Sequence, residues 1–418
     1  MQRRTLVTCL GDTEASAKMD GTAPYVQLQS AVQRCLRTAL GVDTAASNVV
    51  ALVSCGKKKK NYRTAAENLY ESPIFRRSLQ VAKSIADTVY ILSAKHGLVP
   101  LTKKLSPYDV ALTSLDKARR LRWAQLVVDD LAPALGPDTV VVAFAGEAYT
   151  THLRAELSRR GNALLEPLAK MNLGTRGSAL KRFSRVETRS TMLARLYAEF
   201  ERKFASGSIV ALPTLLERDD VPRRGLYVFF DPSERTIFSS AVPRIVRIGT
   251  HGVSKGSQST LRHRLRTHMG TGELAGNHRS SVFRLHVGQA LLTAQQRNLK
   301  SWAKGQSAES AIRTRENWLE KQVSNYLRKL LVFVLEVDDA SGPSSFRARL
   351  ERALITLITE GGLVLDLPTE SWLGLHSPKK EIAGSGLWNI QHHSQDLDQR
   401  SINRFIRMLE TSEQRLLL

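Results

Sequence analysis

Cysteine is scarce in this chain: three residues in 418, at positions 9, 35 and 55. They are too few and too far apart for a disulfide framework or a CxxC metal knuckle, and they suit reduced thiols in a reducing compartment. Long apolar runs are missing too. No stretch approaches the roughly 18 consecutive apolar residues of a membrane span, and no signal-peptide pattern opens the sequence. The expectation is a cytoplasmic protein with no membrane partner. Acidic residues are the third deficit, because 39 Asp and Glu against 61 Lys and Arg leave a formal charge of +22. The excess is spread through both halves, so the implied partner is a polyanion. Nucleic acid comes first, since each neutralised phosphate releases counterions. The length allows two or three domains, each with a core of its own.

Residues 1–47 read as a leader without assigned chemistry, apart from a helical pattern over Tyr25–Leu40. The first strand is Asn48–Ser54, a continuous apolar run that ends in Cys55-Gly56. Similar runs follow at Thr88–Ser93 and Thr139–Ala145, with helical patterns over Ser72–Ala86 and Ala118–Leu135. Alternating strands and helices predict a parallel sheet covered on both faces, a three-layer α/β domain over 48–185. Ligands of such sheets sit at the carboxyl ends of the strands, where this sequence has Ser54-Cys55-Gly56, Ser93 to Gly97, and Ala145-Gly146. A basic helix, Arg185–Ser206, falls in an expected linker at 186–221. A second α/β domain is expected over 222–395, with strands at Gly225–Phe230, Arg244–Ile248, Val282–Val287 and Leu331–Val337 and helices at Thr260–His268 and Ser344–Glu360. A C-terminal helix is expected within 396–418.

In the second domain the order Gly225-Leu226-Tyr227, Arg247-Ile248-Gly249, Arg264, His268, Glu351 and Asn389 resembles the GIY-YIG nuclease signature. The resemblance implies a divalent-metal-dependent endonuclease acting on DNA, with Mg2+ or Mn2+ as cofactor. Phosphodiester hydrolysis needs an activated water and positive charge on the phosphate. By resemblance Tyr227 stands near the water, Glu351 holds the metal, Arg264 contacts the phosphate, Asn389 places the substrate backbone, and His268 supports the site. The second motif normally begins with tyrosine, where this sequence has Arg247. Either Tyr227 alone orients the nucleophile, or the domain binds without cutting. Asn277, His278 and Arg279 lie in a block, Gly276 to Arg284, that resembles one found in a bacterial branch of these nucleases. They are expected, with Arg247, to contact nucleic acid.

The first domain lacks the second glycine and the Lys-Ser/Thr pair of a P-loop after Gly56, which argues against ATP there. Tyr70, Ser72, Ser93 to Gly97, Tyr108-Asp109 and Gly146, in that order, resemble a poorly characterised bacterial domain family, distantly similar to YaaA and to uracil-DNA-glycosylase-like domains. Cys55, Gly56, Lys57, Tyr70, Ser72, Ser93, Lys95, Tyr108 and Gly146 are the candidate base- or phosphate-binding residues. Asp109 and His96 are candidates for N-glycosidic chemistry on a flipped base. Joined, the two domains suggest recognition or excision of a modified base followed by strand cutting, in restriction of foreign DNA. A non-catalytic DNA-binding protein and an RNA base-modification enzyme fit the same residues.

Overall fold

The computed structural model describes residues 48–270, 275–360, 364–393 and 395–411, with a few positions between 33 and 42. Most of the expected leader and of its Tyr25–Leu40 helix lies outside the described residues, as do Cys9 and Cys35. The chain divides into two compact units, Met1–Thr191 and Met192–Leu418.

The first unit is built on β1 (Asn48–Ser54), β2 (Thr88–Ser93), β3 (Gly97–Pro100), β4 (Thr139–Phe144) and β5 (Ala163–Leu165). The sheet order is β3-β2-β1-β4-β5; β1 runs parallel to β2 and β4, and only β3 is antiparallel. Val49 to Val53 are buried without exception, which is why β1 reads as one apolar run. Val50 and Leu52 join a core with Trp123 and Val127 of α2 (Lys117–Leu131) and with Leu153 and Leu157 of α3 (Glu147–Arg159). By the two-residue period Val49, Ala51 and Val53 face the other side, and α1 (Pro73–Ile85) packs on β1 with Phe75, Leu79, Ala82 and Ile85 buried. The chain passes from β1 to β2 on one side and later returns to β4 on the other. That reversal beside β1 opens a crevice at the carboxyl ends of the strands.

The division between the units falls within one 33-residue helix, α4 (Leu173–Ala205). No separate linker follows. Residues expected in the linker form β6 (Val210–Ala211) and α5 (Leu212–Glu217), whose Leu212, Leu215 and Leu216 belong to the second unit's core. That core was invisible locally, because the leucines gain their partners only from distant elements. With β7 (Gly225–Asp231), β8 (Arg244–Thr250) and β9 (Leu331–Glu336), β6 forms an antiparallel sheet in the order β8-β7-β9-β6. Tyr227 and Phe229 of β7 face a core shared with α6 (Leu261–Met269), α7 (Val282–Ala294) and α8 (Ser310–Lys329). Phe230 faces the other way and meets Phe200 of α4 edge-on. Phe200 also meets Phe333 of β9 and Phe405 of α10 (Gln399–Thr411). The strand expected at Val282–Val287 is the start of α7: Ser281 caps it by accepting from the Arg284 N–H, and Phe283, Val287 and Ala290 bury at helical spacing. No helix among the described residues is long and apolar enough to cross a membrane.

Candidate active site

The second unit's site lies along β8, an edge strand. Edge strands carry unpaired peptide groups that must be covered. Here the outward groups at positions 246, 248 and 250 are satisfied in turn by three partners. Trp388 N donates to the Val246 carbonyl at 2.7 Å. The Asn389 amide spans Ile248, accepting from its N–H at 3.1 Å and donating to its carbonyl at 2.8 Å. Glu351, from α9 (Phe346–Thr359), accepts a hydrogen bond from the Thr250 backbone. Asn389 is therefore a surrogate peptide that fixes β8, and its polar atoms are spent on main chain rather than held out toward substrate.

The signature glycines are required by close approach. Gly249 lies opposite Tyr227 in the ladder, and a Cβ there would stand 2.3 Å from the Tyr227 hydroxyl oxygen. At Gly225 a Cβ would stand 2.2 Å from the Leu335 carbonyl oxygen. Gly249→Ala is expected to cost about 1–3 kcal/mol, because a rigid ring in a packed core must move, and to displace the Tyr227 hydroxyl. Denaturant unfolding checks the first effect, and a variant of wild-type stability would refute it.

The Tyr227 hydroxyl lies 3.0 Å from His268 Nε2, and His268 Nδ1 lies 2.8 Å from Ser281 Oγ. His268 is fully buried, and desolvation, reinforced by Arg264, Arg247 and Arg284, drives its pKa well below the ordinary value. It is a neutral imidazole. Arg247, paired opposite Phe229, places its guanidinium 4.5 Å from the Phe283 ring centre and donates to the Trp388 carbonyl at 2.8 Å. The Nε atoms of Arg247 and Arg264 are buried without a hydrogen-bond partner among the described residues. Glu351 feels both charges. Burial nevertheless raises its carboxyl from 4.5 to about 6, against the pull of Arg247, Arg264, Arg352 and the Thr250 bond. Tyr227, His268, Arg247, Arg264 and Glu351 thus stand at one place.

His251 was not singled out from the sequence, although it directly follows β8. Its Nε2 accepts from the Gly225 N–H at 3.3 Å, and its Nδ1 lies 2.9 Å from the Ser259 carbonyl. Burial first, then Arg347, lowers its pKa to about 4, so it too is neutral and pins the loop after β8 to the start of β7.

The expectation for His278 and Arg279 is overturned. His278 is buried, with Nδ1 2.9 Å from Glu320 Oε1 and its ring stacked on Trp302 at 3.8 Å. Arg279 makes two hydrogen bonds to Glu316, at 2.6 and 2.9 Å. Asn277 caps the short turn that carries them, accepting from the Arg279 N–H at 3.0 Å. Glu320 also binds Arg284, whose Nη1 donates to the His268 carbonyl at 2.9 Å. The block is an internal knot behind His268, and its cations are consumed by buried carboxylates.

In the first unit, the carboxyl ends of β1 and β2 gather a polar cluster. The Tyr108 hydroxyl lies 2.8 Å from both Tyr70 and Ser93, and Cys55 Sγ lies 3.3 Å from the Tyr149 hydroxyl. Desolvation raises Tyr70 to about 12 and pushes Tyr108 and Tyr149 further in the same direction. His96 meets the Tyr108 ring edge-on at 5.1 Å, and burial, with Lys95 and Lys103, lowers its pKa. Lys57 and Lys95 are exposed at the rim, and Asp109 is exposed on a cavity wall it shares with Lys57 and Tyr108. Gly56 backs onto Ser72, the residue before α1, and Gly146 precedes α3 beside the Arg176 guanidinium.

At this edge strand a carboxylate and two arginines stand beside a tyrosine–histidine pair. The chain is a member of the GIY-YIG domain family, whose pattern matches residues 187–415, just over half of its length. Residues 50–182 match a family of unknown function (DUF6884). No curated protein and no solved structure matches the chain.

Proposed function

We propose that the protein is a divalent-metal-dependent DNA endonuclease whose N-terminal unit reads bases. The observation that carries the cutting role is the convergence of Glu351, Arg264 and Arg247 beside the Tyr227–His268–Ser281 chain. Ser281 Oγ already accepts from the Arg284 N–H, so it suits the tautomer in which His268 Nδ1–H donates to it. Tyr227 then donates to Nε2, and its oxygen lone pairs are left to take a hydrogen bond from the attacking water. Arg264, whose Nε has no hydrogen-bond partner among the described residues, would meet the scissile phosphate. Asn389 and His251 act as positioning residues that hold β8.

A single largely buried carboxylate with few hydrogen bonds fits Mg2+ or Mn2+, which take one or two carboxylates and complete their shell with water and substrate phosphates. Among the described residues no group of three or more His, Cys, Asp or Glu gathers as an alternative. Glu351 would hold the ion, which supplies positive charge to the developing phosphate dianion. Arg247 stands where the signature has tyrosine, leaving Tyr227 as the water-orienting hydroxyl.

The crevice at the carboxyl end of β1 and the net charge of +22 support base reading by the first unit. Pairing such a reader with a nuclease supports restriction of foreign or base-modified DNA in the cytoplasm. The test is cleavage of unmodified and base-modified plasmid with and without Mg2+. Tyr227→Phe is expected to lower the rate by roughly 10^2–10^4-fold with DNA affinity unchanged. Full activity in that variant removes Tyr227 from the mechanism, and no cutting of any DNA leaves a DNA-binding protein.

A further inference from the structure

We infer that the N-terminal cavity holds a nucleoside 5′-phosphate, its phosphate on Lys57 to Lys59 and its base against Tyr108. The inference rests on the base-reading role above and sharpens it. The site is an open recess of about 470 Å3 lined by Lys57, Lys58, Lys59, Tyr108 and Asp109. Three consecutive ammonium groups leave the end of β1 here. Lys59 Nζ stands over the Tyr108 ring, 4.4 Å from its centre, with Lys95 Nζ at 5.9 Å, so cationic heads cap the aromatic face that a base would take over as its phosphate draws them aside. A base stacked on a ring with its phosphate beside it requires that adjacency.

Hydroxyl protons supply an independent reason. Ser93 Oγ accepts from the N–H groups of Lys95 and His96, at 3.2 and 2.9 Å, so its own proton goes to Tyr108. Ser93, Tyr108 and Tyr70 then share two hydrogen bonds but own three protons. One tyrosine proton is left with no acceptor among the described residues, and leaving a half-buried donor unmet is costly. A base carbonyl or a phosphate oxygen would accept it. Asp109 on the same wall repels a bare polyanion and calls for a donor, which the ring or exocyclic N–H of a base provides. Anion, acceptor, donor and stacking face together describe a nucleotide better than inorganic phosphate or a nucleoside alone.

Calorimetry on the full-length protein in EDTA would use dAMP, dCMP, dGMP and dTMP, the matching deoxynucleosides, and orthophosphate. At least one monophosphate is expected to bind tenfold or more tightly than its nucleoside and than orthophosphate. Tyr108→Phe and Lys59→Ala should each weaken it at least fivefold, with unchanged circular dichroism. Competition by a duplex carrying one unpaired nucleotide, but not by its fully paired counterpart, assigns the ligand to DNA; competition by neither assigns it to the free nucleotide. Absence of monophosphate binding, orthophosphate binding as tightly, or indifference to both substitutions overturns the inference. Plasmid cleavage read in parallel separates the readings. Nucleotide binding alongside cleavage that ignores base modification would sink only the base-reading role, whereas discriminating cleavage without nucleotide binding would sink only this one.

Discussion

Glutamine in place of Glu351 is expected to abolish DNA cleavage and, at neutral pH, to make the C-terminal unit more stable. The first effect follows from its place beside Arg247 and Arg264 at the end of β8. Losing the carboxylate proposed to hold the cation should lower the rate by roughly 10^3-fold or more. The second follows from burial, which raises the carboxyl from 4.5 to about 6 in the folded protein. Between those values the native state binds more protons than the unfolded state, so stability falls as pH rises. At pH 7 the full penalty is present, about 1–2 kcal/mol; below about pH 4 it is gone. Glutamine still accepts from the Thr250 N–H without a charge to bury. Urea unfolding at pH 7 and pH 4 should show the variant more stable at the first and equal to wild type at the second. A variant less stable at pH 7 would mean that Arg247 and Arg264 more than offset the burial of the carboxylate. A site that costs the fold stability is one retained for chemistry rather than for architecture.

Removing Glu320 should have the opposite outcome, a loss of about 3–5 kcal/mol in Glu320→Ala. This carboxylate receives Arg284 at 2.5 and 2.9 Å and His278 at 2.9 Å, and the Arg284 side chain is wholly buried. Without it a guanidinium is left in the core with no counter-charge. Cleavage should fall as well, since Arg284 also holds the His268 carbonyl. Burial works against the Glu320 carboxylate, but the His278 bond and the Arg284 charge outweigh it and hold its pKa below the usual value. The knot's stability is therefore present above the ordinary glutamate range and is lost as pH falls below it. Arg279→Ala separates this reading from a DNA contact. It should reduce the unfolding free energy while leaving the salt dependence of DNA binding unchanged, because Arg279 is committed to Glu316. A salt slope shallower by about one would return Arg279 to the DNA interface.

Much of the site was legible because its chemistry is tied to short, ordered motifs on buried strands. Gly225, Tyr227 and Gly249 stand in a pattern whose glycines answer close approach, and the three apolar runs at 48–54, 88–93 and 139–144 have few other ways to be buried. Misreadings arose where polar residues enter the core. In α7, Arg284 and His286 are buried beside Phe283 and Val287, so the helical face carries charge and the sequence mimics a two-residue alternation. In the Gly276 to Arg284 block, basic residues resemble a phosphate-binding surface until Glu316 and Glu320, some 40 positions on, are seen to consume them.

The sequence by itself determined the basic charge, the alternating elements of the first unit, and the order of tyrosine, arginine, histidine and glutamate in the second. These depend on composition and short-range pattern, which the chain carries without folding. Tertiary structure alone decided which cations remain available for an anion and which are paired. It also showed that Asn389 stands in for a peptide beside Ile248, and that the hydroxyls of Ser93, Tyr108 and Tyr70 form one hydrogen-bonded chain. Each of those outcomes depends on a partner distant in sequence, and only packing brings the partner within hydrogen-bonding range.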